Sequence, residues 1–158
     1  MGSGLVKSNI FSVCIFLSVA TSAQAAQAGA NLDKAGVILQ GYDAVSYFKA
    51  KEPVRGDPKF QIKHEGATYY FADEADRSEF LRHLKKYTPQ FGGWCAYAIS
   101  DSKSKVDIDP KSFLIQDGRL LLFYNGLWGD TRKKWNRDPN TFLKGADANW
   151  PSVETTEP

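Results

Sequence analysis

Two strand-length stretches of the chain are each divided by an acidic residue and a glycine. Lys59 to His64 (KFQIKH) alternates, with Phe60 and Ile62 on one face, and Ala67 to Phe71 (ATYYF) returns after Glu65-Gly66. That pattern predicts a β-hairpin. Ser112 to Gln116 and Arg119 to Tyr124 flank Asp117-Gly118, the strongest short hairpin signal in the chain. Leu120 to Phe123 carries no polar alternation, so both faces of that strand are expected to be covered. Between the hairpins, Asp73 predicts the cap of a helix running to about Lys86, with acidic residues in its first turn to suit the helix dipole. Arg77, Phe80, Leu81 and Leu84 fall on one stripe, so packing is expected through Phe80, Leu81 and Leu84.

The remaining pattern is shorter. Gln27 to Lys34 reads as a loose lead-in, and a short strand or helical turn is expected from Gly36 to Phe48. Pro53, Gly56 and Pro58 mark a loop. Gly92-Gly93 predicts a tight corner into a short buried helix over Trp94 to Ile99. Asp109-Pro110 starts a turn that Asp107 and Asp109 are placed to cap. Two short helices are expected over Gly126 to Trp135 and Asn140 to Ala146. No repeat of fixed period and no low-complexity segment is expected. The elements sum to an α+β domain: a small antiparallel sheet built from two hairpins, with short helices packed on it. The divisions are a signal segment 1–25, a lead-in 26–40, a domain 41–150 and a tail 151–158.

The start of the chain has a separate pattern. Lys7 precedes a short apolar run, Ile10 to Ala20, and Ala23-Gln24-Ala25 forms an A-x-A site. These are the parts of a secretory signal peptide, so a periplasmic or secreted protein is expected. Ala26-Gln27-Ala28 offers a second cut. The apolar run falls short of the ~20 residues that span a bilayer. Cys14 lacks the residues that precede a lipid-anchored cysteine, and Val6 does not fit a myristoylation signal, so no stable membrane anchor is expected.

Charge changes the picture little. Lys and Arg number 20 against 18 Asp and Glu, a formal net charge of +2. That balance argues against a nucleic-acid partner. Arg132-Lys133-Lys134 reads as a solvated helix face beside Trp135. Once Cys14 leaves with the signal, Cys95 is the remaining cysteine, and no intramolecular disulfide can form. A free thiol in an oxidising compartment is buried, ligated or used.

The order of motifs resembles a known family. GYDAVSYF (41–48), then FQIKHEGATYYFADEADRSEFLRHLKKYTPQFGGWCAYA (60–98), then VDIDPKSFLIQDGRLLLFYN (106–125) is similar to the exported YHS-domain proteins over roughly Gly41 to Trp150. The resemblance implies the α+β fold. Kinship of that family with cysteine-rich modules on heavy-metal pumps implies metal handling. The chain departs from those modules in having Cys95 alone, and the Tyr-His-Ser string is absent.

Cys95 is the leading candidate for chemistry. In the first turn of a helix its thiolate would be favoured, which suits a metal ligand or a nucleophile. It also suits a small apolar filler between Trp94 and Tyr97. His64, beside the Glu65-Gly66 turn, and His83, at the edge of the helix stripe, are the candidate helpers for a Cu or Zn site. Met1 is the sole methionine, which excludes a methionine-rich copper site. A dense aromatic set that includes Tyr42 and Tyr97 is able to line a small-molecule pocket, with Asp43 as a polar anchor. Asp43 is equally placed to tie down its own turn. No C-x-x-C, H-E-x-x-H, G-x-S-x-G, P-loop or dinucleotide fingerprint occurs. Three functions stand open: a binding module handling a transition metal through Cys95, a thiol-based redox protein or enzyme, and a metal-free module for a small molecule or protein.

Overall fold

The computed structural model describes Met1 and residues 29–158. The expected signal segment, with Cys14 and its A-x-A site, lies outside those residues apart from Met1. The α+β class is as expected. Strands β1 (Asp57–His64) and β2 (Ala67–Phe71) form the first hairpin, and β3 (Asp109–Gln116) and β4 (Arg119–Phe123) the second. Each hairpin is its own two-stranded antiparallel sheet. The turn residues Glu65 and Gly66 have φ of 48° and 80°, and Asp117 and Gly118 have 52° and 73°. Two consecutive left-handed residues are what a two-residue hairpin loop with the right twist requires.

The registers of the two hairpins coincide. Asp57 pairs with Phe71 and His64 with Ala67, while Asp109 pairs with Phe123 and Gln116 with Arg119. The offset is 52 residues throughout (Asp57 to Asp109), and both ladders are irregular at the same place, between Asp57 and Gln61 and between Asp109 and Phe113. Asp-Pro-Lys opens both hairpins and Phe closes both. The expectation of no fixed repeat is thereby corrected. The shared residues are scattered through differently patterned strands, and the common register brings them into line.

Helix α1 (Glu74–Arg82) begins as expected, with the Asp73 carboxylate accepting the Asp76 N–H at 2.8 Å. It stops early. His83 leaves helical geometry at φ −139°, and a separate turn of helix, α2 (Leu84–Tyr87), follows. Phe80 is fully buried and Leu84 half-buried, but Leu81 is 48 % exposed. The expected packing through Leu81 is therefore wrong: it sits about 100° around the helix from Phe80, and the face it occupies meets solvent.

A 3₁₀ turn, Gln90–Gly93, makes the expected corner, with Phe91, Gly92 and Gly93 all at positive φ. A Cβ on Gly92 would lie 2.2 Å from the Gly29 carbonyl oxygen, so no side chain fits there. Helix α3 (Ala96–Asp101) starts two residues later than expected and leaves Cys95 as its N-cap residue. Further on, Gly126 and Gly129 do not open a helix. They flank the tip of a small hairpin, β5 (Asn125–Gly126) and β6 (Gly129–Asp130). Helices α4 (Thr131–Trp135) and α5 (Pro139–Val153) follow, capped by Asp130 and Asp138. α5 runs past the expected end at Ala146.

Strand β4 divides the core. Leu120 and Leu122 face a cluster containing Val45, Tyr47, Phe71 and Phe80, and Leu121 and Phe123 face one containing Trp94, Ile99 and Trp135. All four strand residues are fully buried, as an unbroken apolar strand predicts. The lead-in is docked from Gly29 onward: the Trp94 indole donates to the Gly29 carbonyl at 3.0 Å and the Asn31 N–H to that of Gly92 at 2.8 Å. Among the described residues no helix is long and apolar enough to cross a membrane.

Candidate functional site

Cys95 is held by the corner before it and the helix after it. Its N–H donates to the Val106 carbonyl at 3.0 Å, and its own carbonyl accepts the Ile99 N–H at 3.1 Å. The Sγ atom accepts the Tyr124 N–H at 3.3 Å and lies 3.3 Å from Thr131 Oγ1. That hydroxyl also donates to the Tyr124 carbonyl at 2.9 Å. Thr131 has one proton to give. With it on the carbonyl, the thiol S–H is the donor toward Thr131. With the thiol proton gone, the hydroxyl is free to turn to sulfur and join the Tyr124 N–H, so two donors flank a thiolate.

The thiol is buried, with 0 % exposure, yet it borders a cavity of about 230 Å³. Tyr97, Asp101, Tyr124, Trp128, Thr131 and Lys134 also line it. The Lys134 ammonium stands 5.5 Å from the centre of the Tyr97 ring. Burial, then the nearby Asp101 carboxylate, raises the Tyr97 phenol above its ordinary range. Trp128 is 86 % exposed and Leu127 98 % exposed at the β5–β6 tip, and the Trp128 N–H donates to the Tyr124 hydroxyl at 3.3 Å. Large apolar residues at a rim are otherwise unfavourable in water.

Asp43 stands elsewhere and is fully engaged. Oδ1 accepts the N–H groups of Val45 at 2.7 Å and Ser46 at 3.3 Å, and Oδ2 accepts that of Ala72 at 2.8 Å. Of the two sequence readings, the carboxylate ties down its own turn. Its pKa is pushed up to about 6, chiefly by burial and further by the Asp76 carboxylate, against the lowering effect of the Ala72 and Val45 donors. Lys49 pairs with Asp76. Tyr42 lies beneath the Arg55 guanidinium, 4.5 Å from ring centre to carbon. Of the three candidate ligand-binding residues, Tyr97 alone lines the Cys95 cavity.

Neither histidine lines that cavity. His64 is half-buried against the Phe80 ring, 6.0 Å between centres, and borders a different cavity of about 320 Å³ with Glu65, Arg119 and Asp147. His83 is exposed, 3.8 Å from Glu79. The structure thus places the three candidate metal ligands in three separate surroundings. Among the described residues no group of three or more His, Cys, Asp and Glu is arranged to hold a metal ion. Sequence reasoning counted Trp128 among the aromatics able to line a pocket, but it missed Thr131 and took Lys134 for part of a solvated helix face, because it read residues 126–135 as one helix. The signal was there: Gly126 and Gly129 bracket Leu127-Trp128, the pattern of a hairpin tip.

No family model, curated protein or solved structure matches the chain.

Proposed function

We propose that this protein is an exported binding module of YHS type whose ligand is a small, mainly apolar organic molecule held in the Cys95 cavity. The observation that carries this reading is the cavity of about 230 Å³ itself, walled by Tyr97 and Tyr124, floored by a thiol and rimmed by an exposed tryptophan. Its size lies just below the usual range for ligand pockets, which suits a single-ring molecule. Asp101, Thr131 and Lys134 supply the few polar groups that orient such a ligand. The A-x-A pattern and the motifs GYDAVSYF and KYTPQFGGWCA support export and family.

The test is protection of Cys95. A small methylthiolating reagent is added to the folded protein, with and without indole or benzoate, one neutral and one anionic single-ring probe. Labelling that either probe slows in a saturable way supports the reading. A thiol that reacts only as fast as the protein unfolds, with or without probe, overturns it. A second reading, a thiol-based reaction, rests on the Tyr124 N–H and the Thr131 hydroxyl that flank Sγ. It is favoured if labelling is faster than that of free cysteine and no probe protects. Protection by Cu or Zn alone returns the metal reading.

A further inference from the structure

The spacing that relates the two hairpins extends without a gap into the segments before them. Leu39, Gln40 and Gly41 have φ of 56°, 51° and 80°, and 52 residues later Phe91, Gly92 and Gly93 have 54°, 59° and 81°. Positive φ is uncommon outside glycine, and three in a row is rarer still. Beyond the turn, the Asp43 N–H donates to the Val54 carbonyl at 2.9 Å, and the Cys95 N–H to that of Val106 at 3.0 Å. Asp57 accepts the Lys59 N–H at 2.9 Å, and Asp109 that of Lys111 at 2.9 Å. Gly41, Ala44, Val54, Asp57 and Gly66 recur as Gly93, Ala96, Val106, Asp109 and Gly118. Hairpin geometry dictates none of the features upstream of it.

We infer that residues 39–72 and 91–124 are two copies of one structural unit, and that Asp43 and Cys95 are the same post in it. Ala72 N–H donates to the Asp43 carboxylate at 2.8 Å, and Tyr124 N–H, at the matching place, donates to the Cys95 sulfur at 3.3 Å. The post joins the start of a helical turn to the end of the second strand. In the first copy a carboxylate does this with both oxygens bonded. In the second copy a thiol keeps the strand-end bond, meets Thr131 instead of the N–H groups of the helical turn, and borders the cavity. Duplication leaves one post structural and releases the other. The second post should therefore accept a carboxylate, although an aspartate placed at an ordinary buried apolar position is among the costliest substitutions. This inference does not rest on the ligand reading.

The test is Cys95→Asp against Cys95→Ala in the mature protein near pH 5.5, read by amide hydrogen exchange at Tyr124. Helix capping alone would bond only the first N–H groups of α3 and leave Tyr124 unaffected. The duplicated post requires Cys95→Asp to fold and to slow Tyr124 exchange by about tenfold relative to Cys95→Ala. Equal exchange at Tyr124 overturns the inference, as does a Cys95→Asp protein that does not fold where Cys95→Ala does. Wild type serves as the reference if Cys95→Ala does not fold, with the same two outcomes.

Discussion

The first and second hairpins have the same register and turn, yet they are written in different residues. β2 reads Ala-Thr-Tyr-Tyr-Phe and alternates between buried and half-buried positions. β4 reads Arg-Leu-Leu-Leu-Phe and is buried at every position after the first. The difference comes from what surrounds each strand. β2 covers one cluster with one face, whereas β4 is sandwiched between two clusters and has no face left for water. Backbone geometry thus tolerates either pattern, and burial selects between them.

The largest effect that tests this comparison is at one matched pair of positions, Thr68 in β2 and Leu120 in β4. Leu120 is fully buried and Thr68 half-buried. Leu120→Ala is expected to cost about 2–5 kcal/mol in urea unfolding, because the sealed site cannot close over the cavity left. Thr68→Ala is expected to cost less than about 1 kcal/mol. Equal losses would mean that the hairpins are not distinguished by burial at all.

Much of the fold could be read from such patterns. The hairpins, the Asp73 cap and the Gly-Gly corner were legible because each rests on local chemistry: a turn residue, a capping carboxylate, a glycine that tolerates positive φ. The break at His83 was not, since no proline or glycine marks it. The repeat was hidden because its shared residues are scattered and the strands around them carry different hydrophobic patterns. For the site, Cys95 and Tyr97 were legible as residue types with chemistry, and the one-letter string gave no distance between Cys95 and either histidine. Thr131 meets Cys95, and Lys134 the cavity beside it, only through the β5–β6 hairpin, which brings Thr131 in from 36 positions away.

The next effect separates the two posts by pH. Asp43 has its folded pKa raised to about 6 from the ordinary aspartate value, so the folded state holds its proton more tightly than the unfolded chain does. The stabilisation from that proton is complete below about pH 4 and is lost as pH rises through about 6, a change of about 3 kcal/mol. Asp43→Asn should remove this slope from a series of unfolding curves between pH 4 and 7, while Cys95→Ala should leave it in place. A slope unchanged in Asp43→Asn would show that the carboxylate is not the titrating group. The Asn variant should also lose some stability at every pH, because its amide N–H₂ faces the Ala72 N–H or the turn donors that the second oxygen accepts in wild type.

The smallest effect on stability concerns what the second copy has and the first lacks. In the first copy, Phe71 is followed within two residues by the Asp73 cap of α1. In the second, β5 and β6 intervene between Phe123 and the Asp130 cap of α4, and their tip carries Leu127 and Trp128 into solvent. Trp128 is 86 % exposed, so its removal forfeits almost no burial, and Trp128→Ala should change the unfolding free energy by less than about 0.5 kcal/mol. The same substitution removes the rim of the Cys95 cavity, so protection of the thiol by a single-ring probe should weaken by about tenfold or more. A residue kept for folding would show the reverse, a clear loss of stability with protection intact. A tip that matters for neither would leave the inserted hairpin without a role in the site, and the cavity would then owe its ligand to Tyr97, Tyr124 and Lys134 alone.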